Sequence, residues 1–153
     1  MSALAELGLS DAFQAQLQPL THSDDQPASA DNPVVVAYHD ACHMLHGQGI
    51  SAEPRALLRA IPHLQLREAT EAGVCCGSAG IYNLVQPEEA TALGQIKAAD
   101  LQGTGAELIA SANIGCTLQL RRHLPQAPAT NQPAPTVIHP IELLHRSARG
   151  SQA

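Results

Sequence analysis

The chain has 153 residues and a formal net charge of −6, and 14% of its residues are charged. This length allows one ordinary domain that folds without disulfide bonds. With two Tyr, one Phe and no Trp, the acidic chain lacks the basic patch and stacking aromatics of nucleic-acid-binding proteins. No apolar run approaches the roughly 20 residues of a transmembrane segment, and no basic segment precedes an apolar one at the N-terminus. We therefore expect a cytoplasmic location.

The first 33 residues are predicted to precede the main domain. Residues 3–17 can form a short amphipathic helix, whose apolar positions are Leu4, Leu7, Leu9, Phe13 and Leu17. Residues 19–33 are polar and contain three prolines, which is typical of a linker. The expected organisation is an N-terminal helix and linker over 1–33, a cysteine-rich domain over 34–146 and a tail over 147–153.

Strands and helices alternate along the main domain. A short apolar, β-branched run predicts a buried strand at 34–38, and further strands are predicted at 64–68, 107–112 and 136–139. Helices are predicted at 53–61, 87–103, about 117–124 and 141–146, with a Pro/Ala-rich loop over 125–135. On the longest helix, the charged residues are expected to form a solvated face; they are Glu88, Glu89, Lys97 and Asp100. The alternation predicts an α/β fold with a small parallel sheet flanked by helices.

The four cysteines all follow predicted strands. Cys42 comes after the first strand, Cys75 and Cys76 lie in the loop after the second, and Cys116 follows the third at a helix start. Because ligands collect beyond the carboxyl ends of parallel strands, the cysteine-bearing loops are expected to meet at one edge of the sheet. Convergence of several thiolates from different loops is what a polynuclear metal cluster requires. Glycines around the Cys75–Cys76 pair (Gly73, Gly77 and Gly80) are expected to allow close backbone approach and N–H donation to sulfur.

Two other interpretations of the cysteines remain open at this point. Free cysteines are often small buried hydrophobic residues. Four thiolates also suit a closed tetrahedral zinc site, although zinc sites usually use C-x₂-C pairs, which this sequence lacks.

The cysteine pattern and its flanking residues resemble a known module. Cys42, then 32 residues, Cys75-Cys76-Gly77, then 38 residues and Cys116 are similar to the CCG module of heterodisulfide reductase and of glycolate and lactate oxidation subunits. The resemblance extends over about residues 34–146 and is carried by the following stretches: YHDACHMLHGQGI (38–50), EAGVCCGSAGIYNLVQPEEATALGQIKAADL (71–101), SANIGCTLQL (111–120) and VIHPIELL (137–144). Together they resemble the second CCG module of the glycolate oxidase iron–sulfur subunit.

The resemblance implies an electron-transfer role. Cys42, Cys75, Cys76 and Cys116 would bind an iron–sulfur cluster of the 4Fe-4S type, and FAD would lie on partner flavoprotein subunits that oxidise glycolate to glyoxylate. The chain would then be a component of an oxidoreductase complex, glycolate dehydrogenase, without catalytic activity by itself. Through that complex it would associate peripherally with the inner face of the cytoplasmic membrane. Lactate or another 2-hydroxy acid stays open as the substrate.

The sequence departs from the family pattern in two ways. The fullest form of the module ends in C-x-x-C, but here the second position is Gln119, so one thiolate is missing. The ferredoxin-like domain and the first CCG module of the family subunit are also absent from these 153 residues, so the chain resembles the C-terminal part of that subunit. The missing thiolate keeps two alternatives open, a docking module without a cluster and a zinc-binding structural domain.

Histidines flank the first cysteine and are further candidate ligands. His39 and His43 lie on either side of Cys42, and an imidazole replaces thiolate at one iron of Rieske centres. His46 is expected to be an ordinary loop residue, and His139 is expected to cap the helix that follows it.

Overall fold

The computed structural model describes residues 10–124 and 134–150. The elements in chain order are helix α1 (Asp11–Gln14), strand β1 (Val34–His39), a π-helix (His43–Gly47), α2 (Ala52–Arg59), β2 (Leu64–Arg67), α3 (Tyr82–Val85), α4 (Pro87–Gly103), β3 (Leu108–Ser111), α5 (Ile114–His123), β4 (Thr136–Ile138) and α6 (Pro140–Arg149). The predicted α/β fold, with a small parallel sheet flanked by helices, is confirmed.

The sheet has four parallel strands in the order β2-β1-β3-β4. Strand β1 pairs with β2 on one side and with β3 on the other, and His39 at its end lies opposite Ser111 at the end of β3. The connections after β1 and after β2 therefore run in opposite directions across the sheet. In open α/β sheets this reversal creates a crevice beyond the carboxyl ends of the two central strands, where ligands bind.

Helices cover both faces of the sheet, because successive strand residues point to opposite sides. Leu58 of α2 and Leu143 of α6 pack on one face, against Val36 and Tyr38. The other face is covered by α4 and α5, whose buried residues pack against Ala37 and Ile109; these residues are Ala98, Leu101 and Leu120. Burial on both sides explains why β1 consists almost entirely of apolar residues.

Most predicted elements are present, with shifted ends. Helix α4 begins and ends where the sequence predicts, and Pro87 occupies its first turn. Helix α5 begins three residues earlier than predicted, because the Asn113 side chain accepts a hydrogen bond from the N–H of Cys116 at 3.0 Å. Helix α6 extends to Arg149 instead of ending at Arg146. The π-helix and α3 were not predicted.

The segment before β1 packs against the domain. Helix α1 ends at Gln14, before the predicted end of the N-terminal helix, and residues 3–9 lie outside the described residues. Leu17, Leu20 and Ala28 are buried in the core beside α6 and β1. The segment predicted as a linker thus contributes to the core, although the domain boundaries at 34 and 146 stay predictions. Residues 125–133 of the predicted loop and residues 151–153 of the predicted tail also lie outside the described residues.

Candidate functional site

The Cys75–Cys76 pair lies on a tight turn that depends on Gly77. This glycine has φ +82°, and a Cβ added to it would lie 2.3 Å from the carbonyl oxygen of Ala90 in α4. Its N–H donates a hydrogen bond to Cys75 Sγ at 3.3 Å. The predicted close approach and N–H donation are thus confirmed for Gly77. The predicted close approach is wrong for Gly73 and Gly80, where a Cβ would meet nothing within 4 Å.

Cys116 lies in the first turn of α5, directly against the cysteine turn. A Cβ on neighbouring Gly115 would lie 2.4 Å from the hydroxyl oxygen of Ser78. The absence of a side chain at Gly115 therefore lets the start of α5 approach the loop that holds Cys76. The cysteine-bearing loops after β2 and β3 meet at the carboxyl edge of the sheet, as the strand pattern predicts.

Two cysteines and one histidine form the buried centre of this edge. One ring nitrogen of His39, Cys76 Sγ and Cys116 Sγ all lie within 4.8 Å of one another. All three residues are buried, and His39 is only 2% exposed. Within the described part of the chain, neither ring nitrogen of His39 has a hydrogen-bond partner. We refer to His39, Cys76 and Cys116 as the inner triad.

Cys42 and Cys75 form the outer part of the site. Both thiols are free and half-buried. Burial raises the pKa of Cys75, and the neighbouring thiols of Cys76 and Cys42 raise it further. Mutual electrostatic influence of this kind occurs only between groups that lie close together. The structure therefore brings Cys42 and Cys75 to the same edge as the inner triad.

The inner thiols differ in how readily they ionise. A hydrogen bond from Cys116 lowers the pKa of Cys76, and the adjacent His39 ring and the backbone N–H of Ser78 lower it as well. The same hydrogen bond and burial raise the pKa of Cys116. The lowered pKa of Cys76 favours its thiolate, which is the form of cysteine that binds metals.

The other histidines lie away from the inner triad. His43 is exposed on the π-helix. His46 is also exposed, and its Nε2 lies 3.4 Å from the carbonyl oxygen of Gly73. His139 Nδ1 accepts a hydrogen bond from the N–H of Ile141 at 3.1 Å, so the predicted helix-capping role of His139 is confirmed.

Gln119 is buried one turn after Cys116 on α5. Its side-chain Nε2 donates a hydrogen bond to the carbonyl oxygen of Ala90 at 3.2 Å. This is the carbonyl that a Cβ on Gly77 would meet. The side chain that stands in place of the missing thiolate is thus hydrogen-bonded to α4 beside the cysteine turn.

A buried ion pair on α4 holds the chain just before the cysteine turn. Lys97 is 1% exposed, and its Nζ donates to the carbonyl oxygen of Glu71 and lies 3.4 Å from that of Ala72. Asp100 accepts hydrogen bonds from the N–H groups of Thr70 and Glu71, at 2.9 and 3.0 Å. The prediction of a solvated face is therefore wrong for Lys97 and for Asp100, whose side chain is only 10% exposed. No local pattern identifies this contact, because its partners are backbone atoms of a distant loop.

A second ion-pair network holds the end of β1. Arg55 of α2 donates to both carboxylate oxygens of Asp40, at 2.9 and 2.6 Å, and also to Glu68 after β2. Its guanidinium carbon lies 5.1 Å from the centre of the Tyr38 ring. Asp40 follows His39 directly, so this network fixes the backbone between His39 and Cys42. The sequence interpretation did not identify Arg55 or Asp40.

Comparison with known proteins assigns the chain to a family. The model of the CCG cysteine-rich domain matches residues 36–121, which is more than half of the chain. The chain belongs to the CCG cysteine-rich domain family. The matched range of this CCG domain begins in β1, ends in α5 and includes all four cysteines.

Curated relatives share this CCG domain over part of their length. The "Probable glycolate oxidase iron-sulfur subunit" of Bacillus subtilis (strain 168) is 43% identical over 91 residues, which are 60% of this chain and 20% of the relative. A subunit of the fumarate reductase (CoM/CoB) of Methanothermobacter marburgensis is 38% identical over 89 residues, 58% of this chain and 18% of the relative. The "Glycolate oxidase iron-sulfur subunit" of Escherichia coli (strain K12) is 32% identical over 112 residues, 73% of this chain and 25% of the relative. The chain thus spans about a fifth to a quarter of these relatives.

The donor groups at the carboxyl edge fit a metal cluster. Thiolates are the usual protein ligands of iron–sulfur clusters, and imidazole replaces them in some centres. Four thiols and one buried imidazole without a hydrogen-bond partner among the described residues supply these two ligand types.

Within residues 10–124 and 134–150, no helix has both the length and the apolar character that a bilayer span requires.

Proposed function

We propose that this CCG domain is the electron-transfer part of an iron–sulfur subunit in a complex that oxidises a 2-hydroxy acid. Glycolate is the proposed substrate of that complex, with lactate as the alternative. The proposed cluster is of the 4Fe-4S type, and its proposed ligands are Cys42, Cys75, Cys76 and Cys116, with His39 and His43 as further candidates. The proposed location is the cytoplasm, with peripheral association at the inner face of the membrane through the complex.

One observation carries this proposal. The sulfurs of Cys76 and Cys116 and a ring nitrogen of His39 lie within 4.8 Å of one another in a buried place, although a loop, a helix start and a strand end that are distant in sequence supply them. Cysteines that serve only to fill the core are usually surrounded by apolar residues. A buried imidazole without a hydrogen bond beside two thiols is not explained by packing, because buried polar groups normally have a partner. The names of two relatives, both iron–sulfur subunits, support the same conclusion.

The residues of the chain would hold the cluster and set its surroundings. A bound iron–sulfur cluster accepts and releases electrons one at a time. The N–H of Gly77 donates to Cys75 Sγ, and hydrogen bonds to the sulfurs are one of the levers that set reduction potential. Burial of Cys76 and Cys116 keeps water from the inner side of the site.

The proposed partner is a flavoprotein subunit that carries FAD. Large apolar side chains are exposed on α3 and α5, the helices that flank the cysteine turn; they are Leu84 (76% exposed), Val85 (59%), Ile114 (72%) and Leu118 (60%). Exposed large apolar side chains near a site offer a surface for protein–protein contact. A cluster behind such a surface would lie near the electron donor.

Anaerobic purification and metal analysis test the proposed function. The protein is reconstituted with iron and sulfide, and its iron, zinc and acid-labile sulfide are measured together with its EPR spectrum. Iron with sulfide, and a cluster signal that Cys76→Ser abolishes, are the expected results. Circular dichroism that matches the wild-type apoprotein would show that the variant still folds, so that loss of the signal reflects loss of the ligand.

Other outcomes distinguish the alternatives. Zinc without sulfide would support a zinc-binding structural domain, and absence of both metals after reconstitution would support a docking module without a cluster. Either result would contradict the electron-transfer role. A cluster signal that persists in Cys76→Ser would contradict the proposed ligand set.

A further inference from the structure

The buried imidazole of His39 lacks the hydrogen-bond partner that a buried polar group normally has. It is 2% exposed, and among the described residues neither buried ring nitrogen makes a hydrogen bond of good geometry, although the ring lies close enough to Cys76 to lower the pKa of that thiol. Leaving a buried polar group unpaired costs roughly 1–3 kcal/mol, so native structures rarely contain one without a reason such as a bound ion. A metal atom bound through a ring nitrogen would give this imidazole a partner.

The groups next to His39 are metal-binding sulfurs. One ring nitrogen lies within 4.8 Å of both Cys76 Sγ and Cys116 Sγ. Ligands of one tetrahedral ion lie roughly 3.5–4 Å apart, given metal–sulfur and metal–nitrogen bonds of about 2.3 and 2.0 Å. The inner triad therefore needs only a small contraction to share one metal atom.

The position of His39 is fixed by the sheet and not by a flexible loop. It is the last residue of β1 and lies opposite Ser111 of β3. The following residue, Asp40, is held by two hydrogen bonds from Arg55. A ligand on such a rigid support keeps its geometry when the metal is absent.

The remaining polar side chains near the site do not compete with His39. His43 and His46 are exposed, and the amide of Gln119 is hydrogen-bonded to Ala90. Gln119 occupies the place where the fullest form of the family pattern has a fifth thiolate. The buried imidazole is thus the described side chain that is placed to restore a fifth ligand.

We propose that His39, and not His43, binds an iron atom of the cluster through a ring nitrogen, beside Cys76 and Cys116. His39 would thus supply the ligand that is missing because Gln119 stands in place of a cysteine. This inference rests on the proposed function. A neutral imidazole carries one negative charge less than a thiolate, and replacement of thiolate by imidazole raises the reduction potential in Rieske centres. The inferred ligand would therefore make the cluster easier to reduce than one with cysteines alone.

Selective isotope labelling tests this ligand directly. The reconstituted protein is prepared with ¹⁵N-histidine, and pulsed EPR measures the nitrogen coupling to the paramagnetic cluster. The expected result is a ¹⁵N coupling in the wild type that disappears in His39→Leu and in His39→Cys. His43→Leu is the matched control, the same substitution at an exposed histidine, and should keep the coupling.

His39→Cys keeps the test decisive if His39→Leu fails to fold, because a thiolate can still bind iron. Its iron and sulfide content should equal that of the wild type, while its reduction potential becomes more negative. A coupling that persists in either His39 variant, or a wild-type cluster without histidine coupling, would overturn the inference alone. A wild type without iron and sulfide would overturn the proposed function, and the inference with it.

Discussion

Replacement of Lys97 by methionine should weaken the fold at the cysteine turn. Lys97 is the chain's one lysine, yet it is buried on α4 and donates to the carbonyl oxygens of Glu71 and Ala72. Its Nζ also lies 3.8 Å from Asp100 Oδ2. Lys97→Met keeps most of the side-chain volume but removes the charge and the donors. Two backbone carbonyls and the Asp100 carboxylate then lose a partner.

The size of the effect follows from these contacts. A hydrogen bond from a charged donor contributes roughly 1.5–3 kcal/mol, and removal of one member of a buried ion pair costs about 3–5 kcal/mol. Asp100 keeps its two hydrogen bonds from backbone N–H groups, and the methionine side chain fills the space. We therefore expect a loss of about 3 kcal/mol in the free energy of unfolding. For a domain of this size the loss corresponds to a Tm lower by about 9 °C.

Thermal unfolding of the apoprotein by circular dichroism measures this loss. Glu89→Gln, an exposed substitution on the same helix, changes the charge by one unit and should alter stability by less than about 0.5 kcal/mol. The iron content of reconstituted Lys97→Met should also fall, because the backbone held by Lys97 leads into Cys75. A Tm within about 3 °C of the wild type would refute the reasoning that the Lys97 contacts stabilise the turn.

Three further predictions concern single residues. Gly77→Ala should lower both Tm and bound iron, since its φ is +82° and its Cβ would lie 2.3 Å from a carbonyl oxygen of α4; unchanged iron content would contradict this. Gly94→Ala should destabilise the protein despite the higher helix propensity of alanine, because the added Cβ would lie 2.3 Å from the His123 ring; a higher Tm would show that the ring moves aside easily. The hydrogen bond to Glu107 raises the pKa of His22 above its ordinary value of 6.5. The protonated His22–Glu107 pair therefore stabilises the folded state fully below pH 6.5, and this contribution is lost as the pH rises through the raised pKa. Urea unfolding should therefore show His22→Gln to be less stable than the wild type by about 1 kcal/mol at about pH 6, with a smaller difference at about pH 9; an equal difference at both would exclude a titrating pair.

The sequence by itself determined the order of the strands and of the longer helices, and the edge at which the cysteines lie. Helix α4 has the predicted bounds because Pro87 and two acidic residues mark its start locally. The apolar run of β1 predicts a buried strand because both faces of a parallel sheet are covered. The placement of Cys42 and Cys116 after strands followed from this alternation alone, since parallel strands all end at the same edge.

Only the tertiary structure decided which side chains are buried at that edge. His39 and His43 are equivalent in a sequence pattern, but the end of β1 buries His39 beside two sulfurs, while the π-helix exposes His43. Lys97 belongs to the same helix as exposed Glu88 and Glu89, yet it is buried because the backbone of a distant loop accepts its hydrogen bonds. Local periodicity carries no information about such partners, because they are brought together only when the sheet and its connections are assembled.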